Sequence, residues 1–291
     1  MINLTHTTIG VAGAGTMGAG IAQTFAAAGA SVCLYDTSSE AVERGMKRIG
    51  ESAAKLSGKG KSPPAAEVLR NIQPITRLAD FEPCAWIVEA VFEDLAVKTK
   101  LFAELPKVTR NNCILASNTS SIPIAKLSAA VAAVDHPRAA RVLGLHFMNP
   151  VPIMQLVEVV RPQGLEGWVL ENSLELMRVI GKTPVVVADV PGFVANRVLM
   201  PYINEGFILL ERGVADPEGI DTICKLGFAH PMGPLTLADL IGLDVCLNVL
   251  KVIHQQLGPE DGVRFKPAQK LQDLVAAGKL GRKSGEGVYK Y

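Results

Sequence analysis

The chain carries no excess of charge: among 291 residues, 29 basic and 28 acidic side chains leave a formal +1. That balance gives no general attraction to nucleic acid or to anionic membranes, so an anionic ligand has to be held locally. Cysteine is sparse. The five at positions 33, 84, 113, 224 and 246 are scattered, odd in number and without a C-x-x-C pair. This argues against a disulfide framework or a metal site and fits a reducing compartment, the cytoplasm. Charge is missing altogether ahead of Asp36. A signal peptide could look so, but it needs a basic n-region, which this segment lacks. Glycines at 10, 13, 15, 18, 20 and 29 are also at odds with an apolar membrane span. A buried strand, turn and helix accounts for the stretch better.

What is present is an ordinary globular composition, 48% apolar and 20% charged. A chain of this length exceeds what one small core usually serves, so two domains are expected. Short apolar runs at 8–12, 31–35, 72–76, 86–90, 113–117, 141–147, 155–160 and 184–189 read as strands. Helical patterns at 16–28, 39–57, 94–105, from Pro123 onward and at 166–180 lie between them. The alanine-rich stretch 129–140 reads as a surface helix or loop. Alternation of this kind implies an α/β fold with a Rossmann-type, doubly wound, mostly parallel sheet. Only about eight residues separate His146 from the run at 155–160, too few for a parallel crossover, so that strand is expected to return antiparallel beside its predecessor. From Pro191 the pattern is helical only, at 193–212, 217–226, 234–257 and 267–277. The boundary falls there: residues 1–190 form a nucleotide-binding domain and 191–291 a smaller all-helical one.

Gly13-Ala14-Gly15-Thr16-Met17-Gly18 is a G-x-G-x-x-G that follows a strand and opens a helix. Its glycines permit a tight turn, close approach of backbone to a pyrophosphate, and close helix–strand packing, while the helix N-terminus offers N–H groups to phosphate. Asp36 ends the second strand, where an acid accepts hydrogen bonds from a ribose 2′-hydroxyl and repels a 2′-phosphate, favouring NAD over NADP. Ligands of open parallel sheets sit beyond the carboxyl ends of the strands. Glu93, the SNTSS run (117–121) and His146 all fall there, and Glu158 comes back on the returning strand, a carboxylate placed to hold an imidazole. His136 and His230 read as turn or helix-start residues, and His6 and His254 have no supporting context.

The glycine motif, VEAVFEDLAVK (88–98), SNTSS (117–121), HFMNPVPIMQLVEVV (146–160), PGFVANR (191–197), HPMGPLTLADLIGLD (230–244) and GRKSGEGVYKY (281–291) together resemble the L-3-hydroxyacyl-CoA dehydrogenase family, closest in type to the 3-hydroxybutyryl-CoA dehydrogenases. The resemblance spans essentially the whole chain. It implies His146 as general base, Glu158 as its orienting carboxylate, Ser120 on the substrate oxygen and Asn196 toward the acyl portion. It further implies NAD contacts at Asp36, Glu93, Lys98, Asn149 and Lys283, CoA contacts at Ser52 and Lys59, and a homodimer through the helical domain. Read without the family, Ser52 is an ordinary helix residue and KLSGKGK (55–61) an ordinary solvated loop. The segment between Ser120 and His146 is a few residues longer than is typical, which implies a longer surface helix or loop. A related dehydrogenase acting on a free hydroxy acid or sugar acid, of the gulonate dehydrogenase and lambda-crystallin type, is the competing reading.

Overall fold

The computed structural model describes residues 2–291, and the chain divides into two compact units at Asp189–Val190. In the first, β1 (Thr8–Ala12), β2 (Ser31–Tyr35), β3 (Ile72–Ile75), β4 (Trp86–Glu89), β5 (Ile114–Ser117), β6 (Val142–Phe147), β7 (Leu156–Arg161) and β8 (Thr183–Ala188) form one sheet in the order β3-β2-β1-β4-β5-β6-β7-β8. The helices α1 (Thr16–Ala27), α2 (Ser39–Ser57), α3 (Ala65–Arg70), α4 (Leu95–Val108), α5 (Ile124–Ala132) and α6 (Gly167–Val179) connect them. The six strands from β3 to β6 are mutually parallel. The short link after β6 forces the reversal: β7 pairs antiparallel with β6, and β8 runs parallel to β7. Pro74, which has no N–H to donate, sits on β3 at the sheet edge, where the loss is tolerated.

The strand order reverses at β1, whose neighbours are β2 and β4, and this switch point is where an open sheet leaves a crevice. Ile9, Val11, Leu34, Val88, Ile114, Leu143 and Leu145 of the strands pack with Ile21 and Phe25 of α1 into the main core. Continuous burial along these strands is what coverage of both sheet faces produces.

The second unit is helical, as expected, with α7 (Ala195–Glu211), α8 (Pro217–Gly227), α9 (Pro234–Ile241), α10 (Leu243–Asp261) and α11 (Gln269–Ala276) around Ile203, Phe207, Leu235, Leu250, Ile253 and Phe265. One expected helix is two. The pattern at 234–257 is divided at Gly242, whose φ of 107° no helical residue adopts. The periodicity continues across the break because α9 and α10 both line the same core. α10 is itself interrupted at Gly258 (φ 73°).

A second correction concerns 129–140. It is not simply a surface segment: Val131 and Arg138 are buried. The Arg138 guanidinium donates to Pro106 O (2.8 Å), Thr109 O (3.2 Å) and Thr109 Oγ1 (2.6 Å), closing the C-terminal end of α4. Those last-turn carbonyls have no partner within the helix, so an internal cation serves them.

Candidate active site

The turn from β1 into α1 is built for a close ligand. Gly13 has φ 109°, and a Cβ there would stand 2.5 Å from Ala90 O. A Cβ on Gly18 would meet Gly13 O, so only glycine lets α1 pack this tightly on the turn. Gly15 differs: a Cβ would find no protein atom within 4 Å, and the residue caps α1 without any side-chain hydrogen bond. The open space lies where the N–H groups of Thr16 and Met17 begin the helix, a cradle that fits a pyrophosphate. Asp36, just after β2, accepts from Ala14 N (2.9 Å) and Thr37 N (2.8 Å), which ties this carboxylate directly to the glycine turn.

Beside this turn, at the ends of β4 and β5, lies a charge cluster in which Glu89 and Lys98 are buried and Glu93 is partly exposed. Glu93 Oε1 accepts from Thr119 Oγ1 (2.5 Å), Ser120 N (3.1 Å), Ser121 N (3.2 Å) and Ser121 Oγ (2.9 Å). Its other oxygen lies 3.2 Å from Lys98 Nζ. Burial opposes ionisation of Glu93, but the Lys98 charge and the hydroxyl donors outweigh it and hold the carboxyl below its ordinary range. Lys98, itself buried, also pairs with Glu89 at 2.5 Å. Glu89 takes Ser117 Oγ (2.6 Å) and Val91 N (2.7 Å) as well, yet burial prevails there and pushes its carboxyl up.

Sequence reasoning missed Glu89, which looked like a strand residue. The signal was an acid inside a fully buried run, nine positions before a lysine. It also missed Asp189, whose two oxygens accept from Ile124 N (2.9 Å) and Ala125 N (2.8 Å) and so cap α5 just after the SNTSS loop.

Two strands away the antiparallel register sets His146 directly opposite Glu158. His146 Nδ1 and Glu158 Oε2 are 2.8 Å apart, both residues being buried. Asn118 Oδ1 accepts from Phe147 N (2.9 Å), which fastens the end of β6 to the loop after β5. One end of the sheet therefore gathers the glycine turn, Asp36, Glu93, Lys98, Ser120 and the His146–Glu158 pair. Asn149 follows β6 in the loop to β7.

Ser52 and Lys59 share a small cleft of about 140 Å³ with Lys55, Leu56, Pro150, Pro152 and Ile153. The α2 face is thus brought against the segment that follows His146. The two remaining candidates lie in the helical unit. Asn196 is in the first turn of α7, three residues after the buried Phe193, whose φ of 48° is rare for a side chain of that size. Lys283 forms an ion pair with Asp244 at 2.5 Å. The five cysteines are free and buried, and burial pushes the thiols of Cys113 and Cys246 up to about 12, which leaves them unreactive.

Comparison with known proteins gives matches along nearly the full length of the chain. Residues 8–190 match the family model of the 3-hydroxyacyl-CoA dehydrogenase NAD binding domain, and residues 192–291 that of the C-terminal domain. A probable 3-hydroxybutyryl-CoA dehydrogenase of Deinococcus radiodurans is 49% identical over 283 residues, covering 97% of this chain and 99% of the relative. The 3-hydroxybutyryl-CoA dehydrogenase of Bradyrhizobium diazoefficiens is 42% identical, with 97% and 94% covered. Among solved structures, the (S)-3-hydroxybutyryl-CoA dehydrogenase of Ralstonia eutropha superposes with a TM-score of 0.90 at 42% identity, with 98% of each chain covered.

Proposed function

The chain belongs to the 3-hydroxyacyl-CoA dehydrogenase family, NAD-dependent oxidoreductases, and we propose that it interconverts short-chain L-3-hydroxyacyl-CoA and 3-ketoacyl-CoA, with 3-hydroxybutyryl-CoA and acetoacetyl-CoA as the preferred pair and His146 and Glu158 as the acid–base couple. The observation that carries the reading is the 2.8 Å contact between His146 Nδ1 and Glu158 Oε2, at the same sheet end as the glycine turn. Bound NAD supplies the hydride acceptor. With Nδ1 directed to Glu158, exchange of a proton with the 3-hydroxyl falls to Nε2 of the neutral ring. Glu158 stabilises the imidazolium that forms, and in the reverse direction the protonated ring returns the proton to the new alkoxide. Ser120, whose backbone is held by Glu93, orients the substrate oxygen. Asn196 is the helical unit's candidate for the acyl-side contact. Correct orientation of these groups is a large part of the rate.

Glu93, Asn149 and Lys283 are assigned to the cofactor. Lys98 acts through Glu93, since it is buried behind that carboxylate. Ser52 and Lys59 are assigned to CoA, whose remote binding energy can be used to orient the reacting carbon. Leu226, 83% exposed, together with Ile223 and Phe228 forms an apolar surface at α8 that suits a homodimer of helical units. Free thiols suit the cytoplasm, and the proposed reaction suits fatty-acid and butanoate metabolism. Steady-state rates with acetoacetyl-CoA, longer 3-ketoacyl-CoAs and free 3-keto acids, each with NADH and NADPH, test the proposal. The highest kcat/KM is expected for acetoacetyl-CoA with NADH. A free acid outperforming its CoA thioester would overturn it in favour of the hydroxy-acid class.

A further inference from the structure

Lys182 stands at the start of β8's approach, immediately after Gly181 at the end of α6, and it is buried. Among the described residues no carboxylate lies within ion-pair distance of it. Its ammonium instead donates to two backbone carbonyls, Val151 O at 2.5 Å and Met154 O at 2.7 Å. A buried cation compensated by carbonyl dipoles alone is an expensive way to fill a core position. Burial indeed pulls its pKa down from the ordinary amine value.

The segment it holds explains the arrangement. Residues 148–154 leave β6 after Phe147, beginning two positions past His146, and carry Pro150 and Pro152, which have no N–H to contribute to a ladder. Their own backbone offers one turn, Ile153 N and Met154 N donating to Pro150 O. On one side Val151 packs against α1 at Gly20, where an added Cβ would lie 3.0 Å from the valine Cβ. On the other side Pro150, Pro152 and Ile153 form the wall of the cleft that faces Ser52 and Lys59.

We propose that Lys182 is a positioning residue for the thioester substrate: by gripping the Val151 and Met154 carbonyls it sets the Pro150–Ile153 wall against Ser52 and Lys59, and so fixes the fit of the CoA moiety. The inference rests on the assignment of CoA to that cleft.

The test compares acetoacetyl-CoA with acetoacetyl-N-acetylcysteamine, which keeps the reacting carbons and lacks the nucleotide. Lys182→Met should raise KM for acetoacetyl-CoA by about tenfold relative to any change with the short thioester, and move kcat for both by one small common factor. Lys182→Arg, which keeps a buried cation, should recover part of the loss. Equal changes for the two substrates, or none, would overturn the proposal and leave Lys182 as a packing element. Should Lys182→Met not fold, Lys182→Gln, which keeps one donor, is read in the same assay. Lys59→Ala run in parallel separates the two ideas. If it leaves KM for acetoacetyl-CoA unchanged, the cleft itself is wrongly assigned. If it raises KM while Lys182→Met does not, only the role of Lys182 fails.

Discussion

The two units bury carboxylates equally well and use them differently. In the helical unit Asp221 and Asp239 are 2% and 1% exposed; in the sheet unit Glu158 and Glu89 are 2% and 0%. Asp221 accepts from Leu235 N and Thr236 N at 2.9 Å each, from Thr236 Oγ1 and from Tyr289 Oη, capping α9. Asp239 accepts from Val288 N and Tyr289 N at 2.9 Å each and from Tyr291 Oη at 3.0 Å, fastening the C-terminal strand-like tail. Their partners are backbone amides and hydroxyls that never change charge at neutral pH. Glu158 faces an imidazole, and Glu89 and Glu93 share a lysine. Burial of an acid therefore does not mark function. A partner that can itself gain or lose a proton, or bring charge to a ligand, does.

The sharpest way to break this contrast is at His146. His146→Gln should lower kcat by about 10²–10⁴ while leaving the thermal midpoint and NAD affinity near wild type, because a positioned acid–base group is removed and little packing is lost. Glu158 acts through the ring, so Glu158→Gln made on top of His146→Gln should cost far less than it costs alone. Steady-state kinetics of the two single variants and the double variant decide the matter. Fully additive losses would place Glu158 with Asp221 as a structural acid.

The opposite result is expected at Asp221. Asp221→Asn turns a carboxylate that takes several donors into an amide that presents N–H to N–H, and hydrogen bonds to a buried charge contribute on the order of 1.5–3 kcal/mol each. Unfolding in urea should show a loss of about 2–4 kcal/mol. Activity per folded molecule should change little. A large fall in kcat with unchanged stability would erase the distinction between the two units.

Much of this contrast was legible in the sequence, for reasons that can be named. The glycine turn announces itself because Gly13 and Gly18 have no room for a Cβ and Gly15 leaves open space at the start of α1. The His146–Glu158 pair follows from a length argument: a link of about eight residues cannot cross over, so β7 must return antiparallel, and register then sets the pair face to face. What stayed hidden depends on contacts between distant positions that leave no periodicity. Asp189 caps a helix 65 residues upstream, and Arg138 closes the end of α4 from a stretch that reads as surface. Lys182 grips a loop that precedes it by about thirty positions in sequence. The break at Gly242 was masked by a hydrophobic pattern that both α9 and α10 share, although the following Leu-Asp, an acid in a helix's first turn, was a cue for a second start.

Asp36 lies between the two kinds of carboxylate, and a smaller effect is expected there. It accepts from Ala14 N and Thr37 N like a structural acid, yet it lies against the glycine turn, where the proposed function puts the cofactor ribose. Asp36→Ser should raise KM for NADH by about tenfold and narrow the preference over NADPH, with a stability loss of about 1 kcal/mol from the lost turn contact. Kinetics with both cofactors and a urea midpoint separate the two roles. A wild-type enzyme that already used NADPH as well as NADH would remove Asp36 from the cofactor site.

The smallest effect sharpens the comparison inside one cluster, where Glu93 and Glu89 share Lys98 but are shifted in opposite directions. Glu93 is held below its unfolded value, so between the two values the unfolded chain binds the extra proton. Its contribution to stability is complete above the unfolded carboxyl range near pH ~4.3 and is lost as pH falls through the folded value. Glu89 is pushed up by burial, so the folded chain binds the extra proton. Its ionisation costs stability at neutral pH, and the cost is relieved as pH falls through its folded value. Urea midpoints taken from pH 7 down to about 3 should therefore diverge. The destabilisation caused by Glu93→Gln shrinks toward the acid end, where the wild-type group is protonated too. The destabilisation caused by Glu89→Gln grows as pH falls from 7, because the wild type gains what the variant cannot. Parallel trends for the two variants would mean that Lys98 treats both carboxylates alike, and that the opposite settings of the partly exposed Glu93 and the buried Glu89 are wrong.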